Sequence, residues 1–209
     1  MAEKYGFRKA ITALMDKDTE QIITGAEKGL SENGLFTIDA STSKGVISGA
    51  ITGLAPTQTK VYGSDAVVDI IAQGTGAVSL TLAANDIPMQ ILGKLSGMDY
   101  DATTGAYKLG KDSKPPFSVI DLVSTDGDKH PIHFALYKGK FGPEEVSLNT
   151  NQDQVNRATD SVTFSAVNRN SDGFVYAMYV EDETHKEEDI LKDIFKGYTP
   201  APASAPASK

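Results

Sequence analysis

The 209-residue chain has no cysteine, no tryptophan and only three histidines. Without cysteine it can form neither disulfides nor thiolate metal sites. Without tryptophan, and with aromatics at 8% of residues, it has little from which to build a stacking platform for sugars or bases. Positive charge is also scarce: 20 Lys and Arg face 28 Asp and Glu, a formal net charge of −8. A grip on nucleic acid needs clustered cations that neutralise phosphates. The densest charged run here, Glu181-Asp182-Glu183 with Glu187-Glu188-Asp189, is acidic. Such a chain is expected to repel DNA, and its acidity favours solubility before assembly. No apolar run reaches the length of a membrane span or a signal-peptide core. The expectation is therefore synthesis in the cytoplasm and no membrane partner. A repeat of fixed period is also missing.

Residues for catalysis are equally sparse. His130-Pro131-Ile132-His133 has a metal-like look, but three-residue spacing on a strand sends the two side chains to opposite faces. His185, after Glu181-Asp182-Glu183, reads as part of a solvated lead-in to a helix. Asp126-Gly127-Asp128 lacks the regular ligands and terminal Glu of a calcium loop, and reads as a turn. Gly74-Thr75-Gly76 lacks the third glycine and the following helix of a dinucleotide loop. Gly45 to Gly49 misses the nucleophile-elbow spacing by one residue. No carboxylate pair stands out. The expectation is a protein that is not an enzyme, with no cofactor and no metal.

Strand signals dominate what is present. Residues 5–15 alternate, with Phe7, Ile11, Ala13 and Met15 on one face. Further short strands are predicted at 19–24, 35–38, 46–52 and 59–62. Residues 66–72, AVVDIIA, are apolar on both faces apart from Asp69, the pattern of a strand covered from both sides. The turn at Gly74 to Gly76 predicts a hairpin joining that strand to 78–82. A helix follows, with Asn85 or Asp86 as its cap, Pro88 in its first turn, a stripe of Ile87, Ile91, Leu92 and Leu95, and Gly97 as its stop. Gly93 inside that helix costs about 1 kcal/mol relative to Ala, a sign of close backbone packing there. Beyond it, strands are predicted at 117–123, 132–137, 146–148, 161–167 and 174–180. Thr184 to Glu187 reads as a capping box opening a short helix with Ile190, Leu191, Ile194 and Phe195 inward. The closing Pro/Ala/Ser stretch cannot pack a core and reads as a disordered tail. Two polar excursions, 25–34 and 152–160, read either as plain loops or as segments that order on docking to another subunit.

Several phrases in fixed order resemble the major tail proteins, or tail tube proteins, of long-tailed bacteriophages of Gram-positive bacteria. They are Gly53-Leu54-Ala55-Pro56, Val61-Tyr62-Gly63-Ser64-Asp65, Val67 to Ile70, Asn85-Asp86-Ile87-Pro88, Leu95-Ser96-Gly97, Pro115-Pro116-Phe117, Leu136 to Phe141 and Ser161 to Phe164. Each alone is weak; their order, over roughly residues 3–180, is specific. The resemblance implies a mainly β fold, a β-sandwich or barrel-like tail-tube fold with one amphipathic helix on the sheet and a short C-terminal helix. It implies a β domain, taken as 1–180; the acidic extension over 181–198 and the disordered tail over 199–209 are less typical additions, read from the residues themselves. It also implies self-assembly into hexameric rings stacked as a tube, contact with tape-measure, tail-tip and tail-terminator proteins, and passage of double-stranded DNA through the lumen. The candidate subunit-interface residues are Gly53, Leu54, Pro56, Tyr62, Tyr137, Lys138, Gly139, Lys140 and Phe141. The competing reading is a non-catalytic β-sandwich binding or decoration module of a virion, which would cluster exposed aromatics at one loop end. A small hydrolase, needing a His-centred site, ranks last.

Overall fold

The computed structural model describes residues 4–144, 146 and 159–200. The fold is mainly β, and its centre is one antiparallel sheet. In chain order the elements are β1 (Tyr5–Met15), β2 (Leu35–Ile38), β3 (Val46–Thr52), β4 (Gln58–Gly63), β5 (Ala66–Ala72), β6 (Ser79–Ala84) and α1 (Met89–Ser96). Then come β7 (Asp99–Asp101), β8 (Ala106–Lys108), β9 (Phe117–Thr125), β10 (Pro131–Phe141), β11 (Asp160–Ala166), β12 (Tyr176–Val180) and α2 (Glu187–Ile194). The main sheet runs β2-β1-β9-β10-β11-β6-β3, with β12 also beside β10. Its two ends do not pair, so no barrel closes; instead the sheet curls. A Cβ on Gly49 of β3 would lie 3.0 Å from Leu122 of β9 and 3.3 Å from the Phe7 ring of β1.

Curling gives the sheet an inner and an outer face, and alternation along each strand feeds both. Ala10, Leu14, Ile120, Leu122, Leu80, Leu82, Val162 and Phe164 fill the inner layer, which α1 closes with Ile91, Leu92 and Leu95. Ile11, Ala13, Val119, Val123 and Ala135 point outward, where Ile190, Leu191, Ile194 and Phe195 of the α2 region cover them. Strands covered on both sides carry continuous apolar runs. That is why β9 is buried from Ser118 to Thr125. The predicted apolar side of the last helix is the side that packs.

Both helices depart from the predicted start. Pro88 is itself the N-cap of α1 and makes no side-chain cap bond. The amide of Ile87 is instead held by the Asp160 carboxylate from β11. Asn85 donates to the Lys44 carbonyl, and Asp86 pairs with Lys44, so neither caps the helix. At the other end Gly97 adopts φ +66° and closes the helix as expected. Gly93 packs against Tyr107: a Cβ there would stand 2.5 Å from the ring. At α2 the cap is Lys186; the Thr184 hydroxyl bonds Asp182 rather than the helix, so the capping box does not form.

Two strand expectations also change. Residues 19–24 make only an isolated bridge, Met15 with Ile22, because Glu20 turns the chain at φ +56°. Strand β6 does not form a hairpin with β5; it lies between β3 and β11, where Leu80 and Leu82 reach the inner core. The excursion 25–34 is held in place by Lys94, which donates to the carbonyls of Ala26 and Gly29 at 2.7 Å, while Leu30 is buried. The predicted strand 146–148, apart from Val146, and the excursion 152–160, apart from 159 and 160, lie outside the described residues.

Candidate assembly surface

Strands β4 and β5 pair with each other in a separate two-stranded sheet. Every residue of β5 is exposed: Val67 at 45%, Val68 at 63%, Ile70 at 50% and Ile71 at 54%. Tyr62 on β4 is 68% exposed. Among the described residues nothing covers either face of β5, although its sequence is that of a strand buried on both sides. A lone two-stranded hairpin is marginal in water, and exposed apolar ribbon of this kind marks an interaction site. The tip is a tight turn in which Ser64 and Asp65 both take positive φ, 51° and 61°, as a primed hairpin turn requires.

The ribbon is rooted by two glycines. Gly53 sits at φ +73°, and a Cβ there would fall 1.9 Å from the Ala77 carbonyl oxygen. Gly76 faces it, where a Cβ would meet the Ala55 carbonyl at 2.6 Å. Backbone therefore lies on backbone where the ribbon leaves and rejoins the body. Leu54 and Pro56 are half-buried beside that root.

Next to the root lies an open groove of about 350 Å³. Phe7, Gly49, Ile51, Leu54, Leu122, Phe134 and Tyr176 line it, with Lys4 at its side. The Lys4 ammonium stands 4.7 Å from the centre of the Phe134 ring. The groove opens because the strands beside β10 diverge: β11 continues the sheet at one end and β12 is an edge at the other.

The candidate residues from the sequence fall in two places. Gly53, Leu54, Pro56 and Tyr62 belong to the ribbon and its root. Tyr137, Lys138, Gly139 and Phe141 are buried in the subunit, and of that phrase Lys140 alone is exposed. Tyr137 packs beneath the Arg169 guanidinium, 3.9 Å from its ring centre. A Cβ on Gly139 would meet the Ser165 carbonyl at 2.4 Å. Lys138 makes a buried ion pair with Glu20 at 2.7 Å. Burial alone would push the Glu20 carboxyl up, but Lys138 and the amides of Asn170 and Ser171 hold it at about 2. The ribbon's apolar residues could have been proposed from AVVDIIA; the groove could not, because its lining comes from five strands and a loop.

A second buried polar cluster escaped the sequence reading. His133, on β10, contacts Asp121 Oδ2 through Nδ1 at 2.6 Å and Glu181 Oε1 through Nε2 at 2.9 Å. Both His133 and Asp121 are fully buried. His130 lies outside the strand, in the turn before it, so the two histidines do not converge. At that turn Asp126, Asp128 and His130 bring ligand atoms within 4.8 Å of one another. Asp126 is already used there, accepting from the amides of Asp128 and His130, which is the work of a turn. Exposed Tyr5, Tyr62, Tyr100 and Phe174 stand on four different segments rather than at one loop end.

Comparison with curated proteins gave no match. Comparison with protein families did: the family described as phage tail tube protein matches residues 1–203, nearly the whole chain and every element above. A curled antiparallel sheet with an uncovered apolar ribbon is thus the fold of a chain that belongs to the phage tail tube protein family.

Proposed function

We propose that this protein is the repeating subunit of a phage tail tube, assembling into hexameric rings that stack around a channel for genome delivery. The observation that carries the reading is the β4–β5 ribbon, whose β5 strand is apolar on both faces apart from Asp69 and exposed throughout among the described residues. Other copies supply that cover. Within the proposed assembly Gly53, Leu54, Pro56, Tyr62 and Lys140 meet neighbouring subunits. Tyr137, Lys138, Gly139 and Phe141 shape that surface from inside. Residues 1–180 form the tube domain, 181–198 an extension seated on its outer face, and 199–209 a tail. Tape-measure, tail-tip and tail-terminator proteins are the further partners. The subunit is made in the host cytoplasm, ends in the virion tail, and contributes position rather than catalysis. An excess of acidic residues, −8 per subunit, lets DNA slide without sticking if the lumen shares that sign.

The test is a double substitution, Val68→Lys with Ile70→Lys, placing charge on the exposed ribbon. The variant is expected to melt within about 1 kcal/mol of the parent, as surface changes do, yet to sediment as a monomer where the parent assembles. Assembly unchanged by the two lysines would overturn the role given to the ribbon.

A further inference from the structure

We infer that the β4–β5 ribbon of one copy docks, tip first, into the groove between β3 and β12 of a second copy; this rests on the tube-subunit reading above. Chemistry, charge and reach support it. The ribbon tip offers Tyr62, Val67 and Val68, all at least 45% exposed. The groove offers Phe7, Ile51, Leu122 and Phe134 beside the Lys4 ammonium. Asp65 sits at the tip of the ribbon. Seating the apolar tip therefore brings an acidic turn towards a cationic wall, and opposite charges at an interface fix register and exclude wrong partners.

Reach excludes the subunit's own groove. Leu54 lines the groove and also roots the ribbon. Strands of six and seven residues carry the tip roughly 20 Å from that root at about 3.3 Å per residue. A paired ribbon does not fold back on its own base, so the occupant is another molecule. Both neighbours of the ribbon are also ready to pair. Among the described residues, β12 bonds only to β10 and β3 only to β6, so each leaves an edge for strand addition. Tip and groove are different surfaces, which makes the contact head-to-tail, the kind that closes into rings when the rotation allows.

The absence of cysteine makes the test clean. In the full chain, Val68→Cys is combined with Ile51→Cys, the protein is assembled and oxidised, and products are run without reductant. A ladder of covalent dimers, trimers and longer chains is expected, with neither single variant giving more than dimers. Alongside, Lys4→Glu is expected to raise the concentration needed for assembly about tenfold, equivalent to ~1.4 kcal/mol, and Asp65→Lys to restore it in the same chain. Tubes that form without a ladder, or a Lys4→Glu defect that Asp65→Lys leaves in place, would overturn this docking and leave the tube subunit standing. A parent protein that never assembles would remove both.

Discussion

His133 and Glu20 are two residues through which this fold answers to pH, in opposite directions. Burial by itself would push the His133 imidazole down, but the carboxylates of Asp121 and Glu181 outweigh it and hold it above its ordinary 6.5. Burial pushes Asp121 above the ordinary carboxylate value despite the His133 contact. Both shifts mean that the folded protein binds protons more tightly than the unfolded chain. The stabilisation from His133 is complete below 6.5 and is lost as pH rises through the higher folded value. Melting temperature is therefore expected to fall as pH is raised from 6.5, and His133→Phe to flatten that fall. His133→Ala, which leaves Asp121 buried and unpaired, is expected to cost about 3–5 kcal/mol in urea unfolding. Glu20 has the other sign: its contribution is present above 4.5 and is lost as pH falls toward about 2. Lys138→Met is expected to cost about 3–5 kcal/mol at neutral pH, and less in acid, where Glu20 can be protonated.

At the scale of elements, two attachments decide how much of the chain acts as one body. The outer face of β1, β9 and β10 is apolar and is covered by α2, with Lys9 bonded to Glu187 at 2.6 Å across the junction. Phe195 is fully buried there, so Phe195→Ala is expected to cost about 3–5 kcal/mol, read by chemical denaturation. At the ribbon root, Gly53→Ala places a Cβ against the Ala77 carbonyl at positive φ. About 1–3 kcal/mol of local strain is expected, seen as faster hydrogen exchange in β4 and β5 with the β9 and β10 amides still protected. Where one face of an element was patterned, the sequence was enough. The Ile190 to Phe195 stripe placed α2 on its apolar side, and alternation placed Ile11, Ala13 and Met15 of β1 together, but irregular pairing between Tyr5 and Lys9 turns Phe7 to the opposite, inner face. Gly93 correctly signalled a close approach, which turned out to be the Tyr107 ring. The helix starts were misread because the expected caps are engaged elsewhere: Asn85 and Asp86 with Lys44, and Thr184 with Asp182, while Asp160 holds the Ile87 amide just ahead of α1. The partner of β6 was misread for a related reason. Nothing local distinguishes a hairpin with β5 from insertion between β3 and β11, and burial of Leu80 and Leu82 decides it.

For the whole molecule, AVVDIIA is the segment where sequence and monomer disagree most. Its pattern calls for cover on both faces, and the described residues of the monomer give it none. Under the proposed assembly other copies would supply that cover, whereas the groove lining, scattered along the chain from Lys4 to Tyr176, left no local signature. Open edges at β2, β3 and β12 would be a liability in a protein that stays alone, and an asset in one that closes on copies of itself. Negative-stain electron microscopy of the purified full chain at rising concentration tests this most directly. Hollow tubes or stacked rings of uniform diameter with a central channel are the expected result. A monodisperse monomer at every concentration, with tail-tip protein added as well, would contradict the assignment of this chain as a tube subunit.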